Sequence, residues 1–126
     1  MKRLYNISNH PSVDWGEEQR EGWDEIYDVP FPQVDPTLSW RQVEKIADEL
    51  LHNNDLDGCL ANLEEGIWDR DEIFIMIQGE FTLSFILYQY LERIGHVAIP
   101  TTQRVETIKD GVKTSIFKFV RWRIRE

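Results

Sequence analysis

The run Ile73-Phe74-Ile75-Met76-Ile77 stops at Gln78-Gly79-Glu80 and passes directly into a mostly apolar stretch, Phe81 to Ile94, that closes at Gly95. This order predicts a strand, a tight turn and a helix. In an open α/β sheet the turn after a strand's carboxyl end is where ligands sit, because backbone N–H groups at the following helix start favour anions. Gly79 is expected to give the turn freedom in φ and to let a phosphate approach the backbone. The plainer reading is a well-formed βα turn with no ligand.

The rest of the chain follows the same alternation. Residues 2–8 alternate apolar and polar side chains and end at Asn9-His10-Pro11, which predicts a first strand. Asp14 with Glu17 resembles a capping pair for a short helix, Trp15 to Glu21, closed by Gly22. Glu25 to Val29 reads as a second strand, and the proline-rich segment 30–36 as a connector. Ser39 with Gln42 forms a capping box before Trp40, Val43, Ile46, Ala47, Leu50 and Leu51, which recur at the helical period up to His52. Leu56, Leu60, Leu63 and Ile67 suggest one or two more helical turns, weakened by Gly58 and Gly66. Ile73–Ile77 is then the third strand and His96–Pro100 the fourth, with Thr101-Thr102-Gln103-Arg104 as its polar exit. Asp110-Gly111 between two β-prone runs, 105–108 and 112–124, predicts a terminal hairpin. The expected fold is α/β: a Rossmann-like three-layer domain with a mainly parallel sheet and a C-terminal β-hairpin, formed by one domain over residues 1–126.

Charge narrows the partners. The formal net charge of −9 argues against binding a long nucleic acid, whose affinity comes mainly from Lys and Arg contacts. Yet seven of the 14 cations fall between Gln103 and Arg125. An acidic body with one basic edge suits a small anionic ligand. Alternation along the last strand is expected to place Phe117, Phe119, Arg121 and Arg123 on one face, with Arg121 and Arg123 roughly 7 Å apart, near the spacing of successive phosphates. The other reading of these arginines is an edge strand kept from aggregating by charge.

The apolar runs are too short to cross a membrane, and the first residues lack the apolar core of a signal peptide, so the expected location is the cytoplasm. Cys59 is alone, and the histidines at 10, 52 and 96 lie in separate segments, so neither a metal nor another cofactor is expected. In a parallel sheet the exits Asn9-His10-Pro11-Ser12, Gln78-Gly79-Glu80 and Thr101-Thr102-Gln103-Arg104 converge at one edge. They supply an imidazole, amides, hydroxyls, a carboxylate and a guanidinium. Glu80, which would repel a phosphate, is expected to accept from a ribose hydroxyl or an adenine amine, or to hold Arg104.

Asn9-His10-Pro11-Ser12, Trp15, Gln19, Gln78-Gly79-Glu80-Phe81, Thr101-Thr102 with Arg104, and Phe117-Lys118-Phe119-Val120-Arg121-Trp122-Arg123 together resemble a group of small CRISPR-associated proteins. That group is related to the CRISPR-associated Rossmann fold and includes the stand-alone ring nucleases of type III systems. The resemblance implies a homodimer that binds a cyclic oligoadenylate, with cyclic tetra-adenylate the expected ring, and cleaves it without a metal to end antiviral signalling. His10 is then expected as general acid/base or positioner of the leaving oxygen, with Arg104 on the phosphate and Glu80 nearby. Asn9, Ser12, Gln78, Gly79, Phe81, Thr101, Thr102, Arg121 and Arg123 are the expected ligand-binding residues. The alternatives are a non-catalytic sensor of a cyclic nucleotide acting through a partner protein, and an α/β adaptor without a ligand.

Overall fold

The computed structural model describes residues 1–125. Its elements run β1 (Arg3–Ser8), α1 (Glu17–Arg20), β2 (Glu25–Pro30), α2 (Trp40–Leu51), α3 (Asn54–Glu64), β3 (Ile73–Gln78), α4 (Phe81–Leu91), β4 (His96–Lys109) and β5 (Val112–Arg125). The five strands form one sheet in the order β2-β1-β3-β4-β5. β1 is parallel to β2 and β3, β3 is parallel to β4, and β5 turns back antiparallel to β4. No helix among the described residues is long and apolar enough to cross a membrane.

The two sheet faces are covered unequally. On one, Tyr5, Ile7, Val29, Ile75 and Ile77 pack against Val43 and Ala47 of α2, Leu56 and Cys59 of α3, and Leu83, Ile86 and Leu87 of α4. On the other, Leu4, Phe74, Met76 and Ala98 meet no long helix. They are covered by Trp15, Trp23, Ile26 and Trp122. The expected second helical layer is thus reduced to a 3-10 turn, the four-residue α1 and three indoles. Large aromatic surfaces substitute for a helix here because each buries about 150–250 Å².

Local chemistry explains several boundaries. The Ser39–Gln42 capping box forms in both directions and starts α2 where expected. The Asp14–Glu17 pair does not cap; α1 begins after Gly16 with no side-chain cap. α3 is a full helix of 11 residues, because Asn53 caps it by accepting from the Asp55 N–H and because Leu56 and Cys59 are buried. Nothing lies within 4 Å of where a Gly58 Cβ would stand, so that glycine weakens an outer, solvent-facing position only. α4 ends at Leu91, and Arg70 holds the two carbonyls just past it, donating to Glu92 O at 2.9 Å and Arg93 O at 3.0 Å.

The fourth strand is the largest departure from expectation. Thr101-Thr102-Gln103-Arg104 is no exit loop: β4 runs on unbroken to Lys109, paired throughout with β5. β-branched threonines suit a pleated ladder, and Pro100 lies past the last pairing of β4 with β3 at Ile75↔Val97, so its missing N–H removes no bond on that side. Asp110 and Gly111 close the hairpin with φ of 53° and 77°, as a tight turn that follows the strand twist requires.

Gly95 admits no side chain, because a Cβ there would stand 2.6 Å from the Ile73 carbonyl oxygen and 2.7 Å from its side chain. The helix exit therefore lies directly on the start of β3. Gly95→Ala is expected to cost about 1–3 kcal/mol, the range for overpacking a closed contact. Urea denaturation against wild type checks this, and an unchanged midpoint would refute the close approach.

Candidate functional site at the β1/β3 edge

β1 and β3 are neighbours whose onward connections run to opposite sides of the sheet, to β2 on one side and β4 on the other. That is a switch point, and the loops after β1 and β3 flank the crevice it leaves. The loop after β1 rests on a polar network. Asn6, only 1% exposed, donates through Nδ2 to the His10 carbonyl at 2.9 Å and to Asp28 Oδ1 at 2.8 Å. The His10 carbonyl also accepts from Ser8 Oγ at 3.3 Å and Trp15 Nε1 at 3.1 Å, while the His10 N–H donates to Ser8 Oγ at 3.1 Å. Ser12 is buried, its Oγ donating to Asp28 Oδ2 at 2.9 Å and its N–H to the same carboxylate at 3.2 Å. His10 therefore has a fixed main chain and an exposed side chain. Asn9 is exposed beside it, and Gln78, level with Ser8 at the end of β3, lies on the same sheet face as Asn6 and Ser8.

The β3 turn is built differently from the expectation. Gly79 is not among the residues with positive φ. It is a glycine because the Phe31 ring fills the space its side chain would need. Glu80 is the N-cap of α4, and its Oε2 accepts from the Leu83 N–H at 2.9 Å. Those helix N–H groups hold the carboxyl below its ordinary value, with the Leu83 N–H the largest cause. The anion position at this helix start is thus occupied by the protein's own carboxylate, and Glu80 does not hold Arg104. Phe81, the first helical residue, is 82% exposed.

The third cluster is lifted away from the first two. Thr101 stays near the top of the sheet, its Oγ1 donating to the Arg121 carbonyl at 3.1 Å. Thr102 and Arg104 lie on the β4–β5 arm beyond the sheet, paired with Phe119 and Phe117. The Arg104 guanidinium lies 3.7 Å from Glu106 and donates to Ser115 Oγ at 3.1 Å. A bulge separates the phenylalanines from the arginines: Thr101 pairs with Arg121 but Thr102 with Phe119, leaving Val120 extra. Adjacent β4 residues face opposite ways, so Phe117 and Phe119 lie on one face and Arg121 and Arg123 on the other. Strict alternation missed this because a bulge has no residue signature in Phe-Val-Arg.

Phe119 packs on Trp122, ring centroids 5.8 Å apart. Phe117, Lys118 and Phe119 line a cleft with Gly16, Glu17, Glu18 and Gln19, just beyond the His10 loop. Arg104, the cross-strand partner of Phe117, shares that flank with His10. Arg121 and Arg123 instead share the α4 flank with Ile99 and Tyr88, where Arg123 lines a pocket, and neither makes an ion pair among the described residues.

Chemically this edge offers a presented imidazole and the exposed amides of Asn9 and Gln78, with no free helix N-terminus for an anion; Arg104 lies on the arm and Arg123 on the α4 side. Asn6, Ser8, Asp28 and Phe31 are the residues that sequence reasoning missed. Asp28 stands directly across from Asn6 in the β1–β2 register, a relation visible only once the strands are paired.

Two outcomes follow from these bonds. Asp28→Ala leaves the buried Asn6 amide and Ser12 hydroxyl short of an acceptor and is expected to cost about 1–3 kcal/mol, with faster amide exchange over residues 9–15; unchanged exchange there would show that the network does not hold the loop. Glu80 has a depressed pKa when folded, so its stabilisation is full above the ordinary carboxyl value of 4.5 and is lost as pH falls through the folded value. Glu80→Ala is accordingly expected to lower stability by about 1 kcal/mol at neutral pH, and the gap from wild type is expected to close in acid, read as melting temperature against pH.

No curated protein and no solved structure matches the chain. Residues 2–123 match the family model described as "Uncharacterized protein MJ1673 family". With nearly its whole length aligned, the chain belongs to the MJ1673 family.

Proposed function

We propose that this protein is a cytoplasmic ring nuclease with a Rossmann-like domain. On this reading it binds a cyclic oligoadenylate, with cyclic tetra-adenylate the expected ring, and cleaves it to switch off type III CRISPR antiviral signalling. The observation that carries the reading is His10: four hydrogen bonds to its main chain fix it at the β1/β3 switch point while its imidazole faces solvent. A general acid or base needs this combination of a rigid mount and an open reacting atom. The likeness of the Asn9–Ser12, Gln78–Phe81 and Phe117–Arg123 blocks to small CRISPR-associated proteins supplies the substrate class.

The chemistry is a transesterification within the ligand. A ribose 2′-oxygen forms a bond to the adjacent phosphorus, the bond from phosphorus to the 5′-oxygen breaks, and a 2′,3′-cyclic phosphate remains. The 2′-hydroxyl loses its proton and the leaving 5′-oxygen gains one, and His10 serves one of these transfers. Arg104, on the His10 flank, meets charge on the reacting phosphate, and Arg121 and Arg123, on the other flank, are left for other phosphates of the ring. Glu80 acts through α4, which it caps, and is not a proton carrier in this scheme. Its occupation of the helix start favours a second reading, a binding module without turnover, because one source of oxyanion stabilisation is already taken.

Incubation with cyclic tri-, tetra- and hexa-adenylate in EDTA, followed by chromatography and mass spectrometry, tests both. Linear products ending in 2′,3′-cyclic phosphate are expected, with His10→Ala slowing turnover by roughly 10²–10⁴-fold, the usual worth of a positioned acid or base. Intact ligand together with a raised melting temperature selects the binding module. An unaltered rate in His10→Ala removes the catalytic role.

A further inference from the structure

Two exposed surfaces of this chain carry large hydrophobic side chains, the first of them bounded by Lys118 and Lys109 on the same face. The first is the β4–β5 arm, whose rungs from Thr102↔Phe119 to Lys109↔Val112 extend roughly 25 Å past the sheet at about 3.3 Å per residue. A two-stranded ribbon standing alone is marginal in water. On one of its faces Val105, Thr107, Val112, Thr114 and Ile116 form a β-branched strip, the composition of a sheet face that is normally covered. Ile116 is 57% and Val112 60% exposed. The second surface is the outer side of α4. Its 11 residues include no charged side chain, in a chain where 29% are charged. A helix that is apolar all round is ordinarily enclosed; here Phe81 and Phe85 face solvent, Phe85 at 48% exposure, and Trp40 of α2 lies against Phe85 with ring centroids 6.2 Å apart.

Charge relates the two surfaces. Residues 102–119 carry four cations (Arg104, Lys109, Lys113, Lys118) and two anions (Glu106, Asp110), a net of +2 on a chain of −9, so the remainder carries −11. An arm of one sign is drawn to a body of the other, and one arm does not attract another. The body that supplies −11, and beside it an apolar face without charges, is a second copy of this chain.

We propose that the β4–β5 arm is a dimerisation arm: its Val105–Ile116 strip docks on the Phe81–Phe85 face of α4 of a second copy, and that copy's arm docks back in the same way. A two-fold axis requires this reciprocity and covers both surfaces of both chains in one contact. The arm leaves the sheet at the same edge as the His10 crevice, so the partner lies beside that crevice, with Arg104 on the arm face opposite the docking strip. This names the surface for the homodimer implied by the proposed function but does not depend on ligand cleavage.

Light scattering across a dilution series is the test, with wild type expected at twice 15.0 kDa. Ile116→Glu and Phe85→Glu, both at exposed positions, are each expected to halve that mass while leaving the near-ultraviolet circular dichroism unchanged. A mixture of Ile116→Cys and Phe85→Cys chains is expected to form an intermolecular disulfide between the two variants. A wild type that stays at 15.0 kDa when concentrated, or a dimer indifferent to both glutamates and giving no mixed disulfide, overturns the proposal. A dimer that cleaves no ligand leaves the arm standing and counts against the nuclease, whereas a monomer that cleaves does the reverse.

Discussion

Every residue of β1 is buried, and this strand sits between β2 and β3 at the heart of the sheet. An unmet buried polar group costs about 1–3 kcal/mol; Arg3, Asn6 and Ser8 find partners, whereas the Tyr5 hydroxyl has none among the described residues. At the amino end Arg3 donates to Glu72 at 2.6 Å and Glu25 at 3.2 Å and lies 4.1 Å over the Trp68 ring. Glu72 in turn is held below the ordinary carboxyl value, first by the Asp69 N–H and then by Arg3. At the carboxyl end Asn6 and Ser8 solve the same problem by binding Asp28 and the main chain of His10. The rigidity of the candidate site is thus a by-product of satisfying polar groups on a central strand. Between the two ends Tyr5 stacks on Tyr27, ring centroids 4.7 Å apart. Burial, and next the hydrogen bond to Glu25, push the Tyr27 phenol up to about 12.

The carboxyl half of the molecule is governed by one extra residue. Val120 breaks the register between β4 and β5, and so the basic and aromatic residues of the last strand go to different sides. The aromatic side joins the indole layer through Phe119 and Trp122, whereas the basic side borders α4, where Arg125 meets Glu92 at 3.1 Å. Without the bulge, Arg121 would compete with the indoles for an apolar face, at the cost of desolvating a cation.

Short-range chemistry was legible in the sequence. The Ser39–Gln42 box, the Asp110–Gly111 turn and the buried run Ile73–Ile77 depend on residues a few positions apart, and all three lie where local patterns put them. What was not legible depends on strand pairing. Thr101–Arg104 looked like a polar exit because four polar residues in sequence do not show that β5 lies beside them. Gly79 looked like a phosphate contact because nothing nearby in sequence announces Phe31, 48 positions earlier. Glu80 looked like a ligand group because a capping carboxylate and a binding carboxylate have the same letter. For the candidate site, the polar turn residues were legible in the sequence and the ones beneath them were not: Asn6, Ser8 and Asp28 are strand residues whose bonds arise from cross-strand geometry.

The indole layer also fixes an order of events. Trp122 packs on Trp15 and Trp23, with ring centroids 5.7 Å and 5.4 Å apart, and its Nε1 donates to the Gln19 carbonyl at 2.9 Å, across 103 residues of chain. During synthesis the segment carrying His10 emerges well before β5, yet the lid over its sheet face is completed only when β5 arrives. The opposite face, built from neighbouring α2, α3, β3 and α4, has no such wait. A chain stopped before residue 122 therefore holds a packed helical side and an opposite side that lacks Trp122 from the cover of Leu4, Phe74 and Met76, so the layer beneath the His10 loop closes only after β5 has emerged.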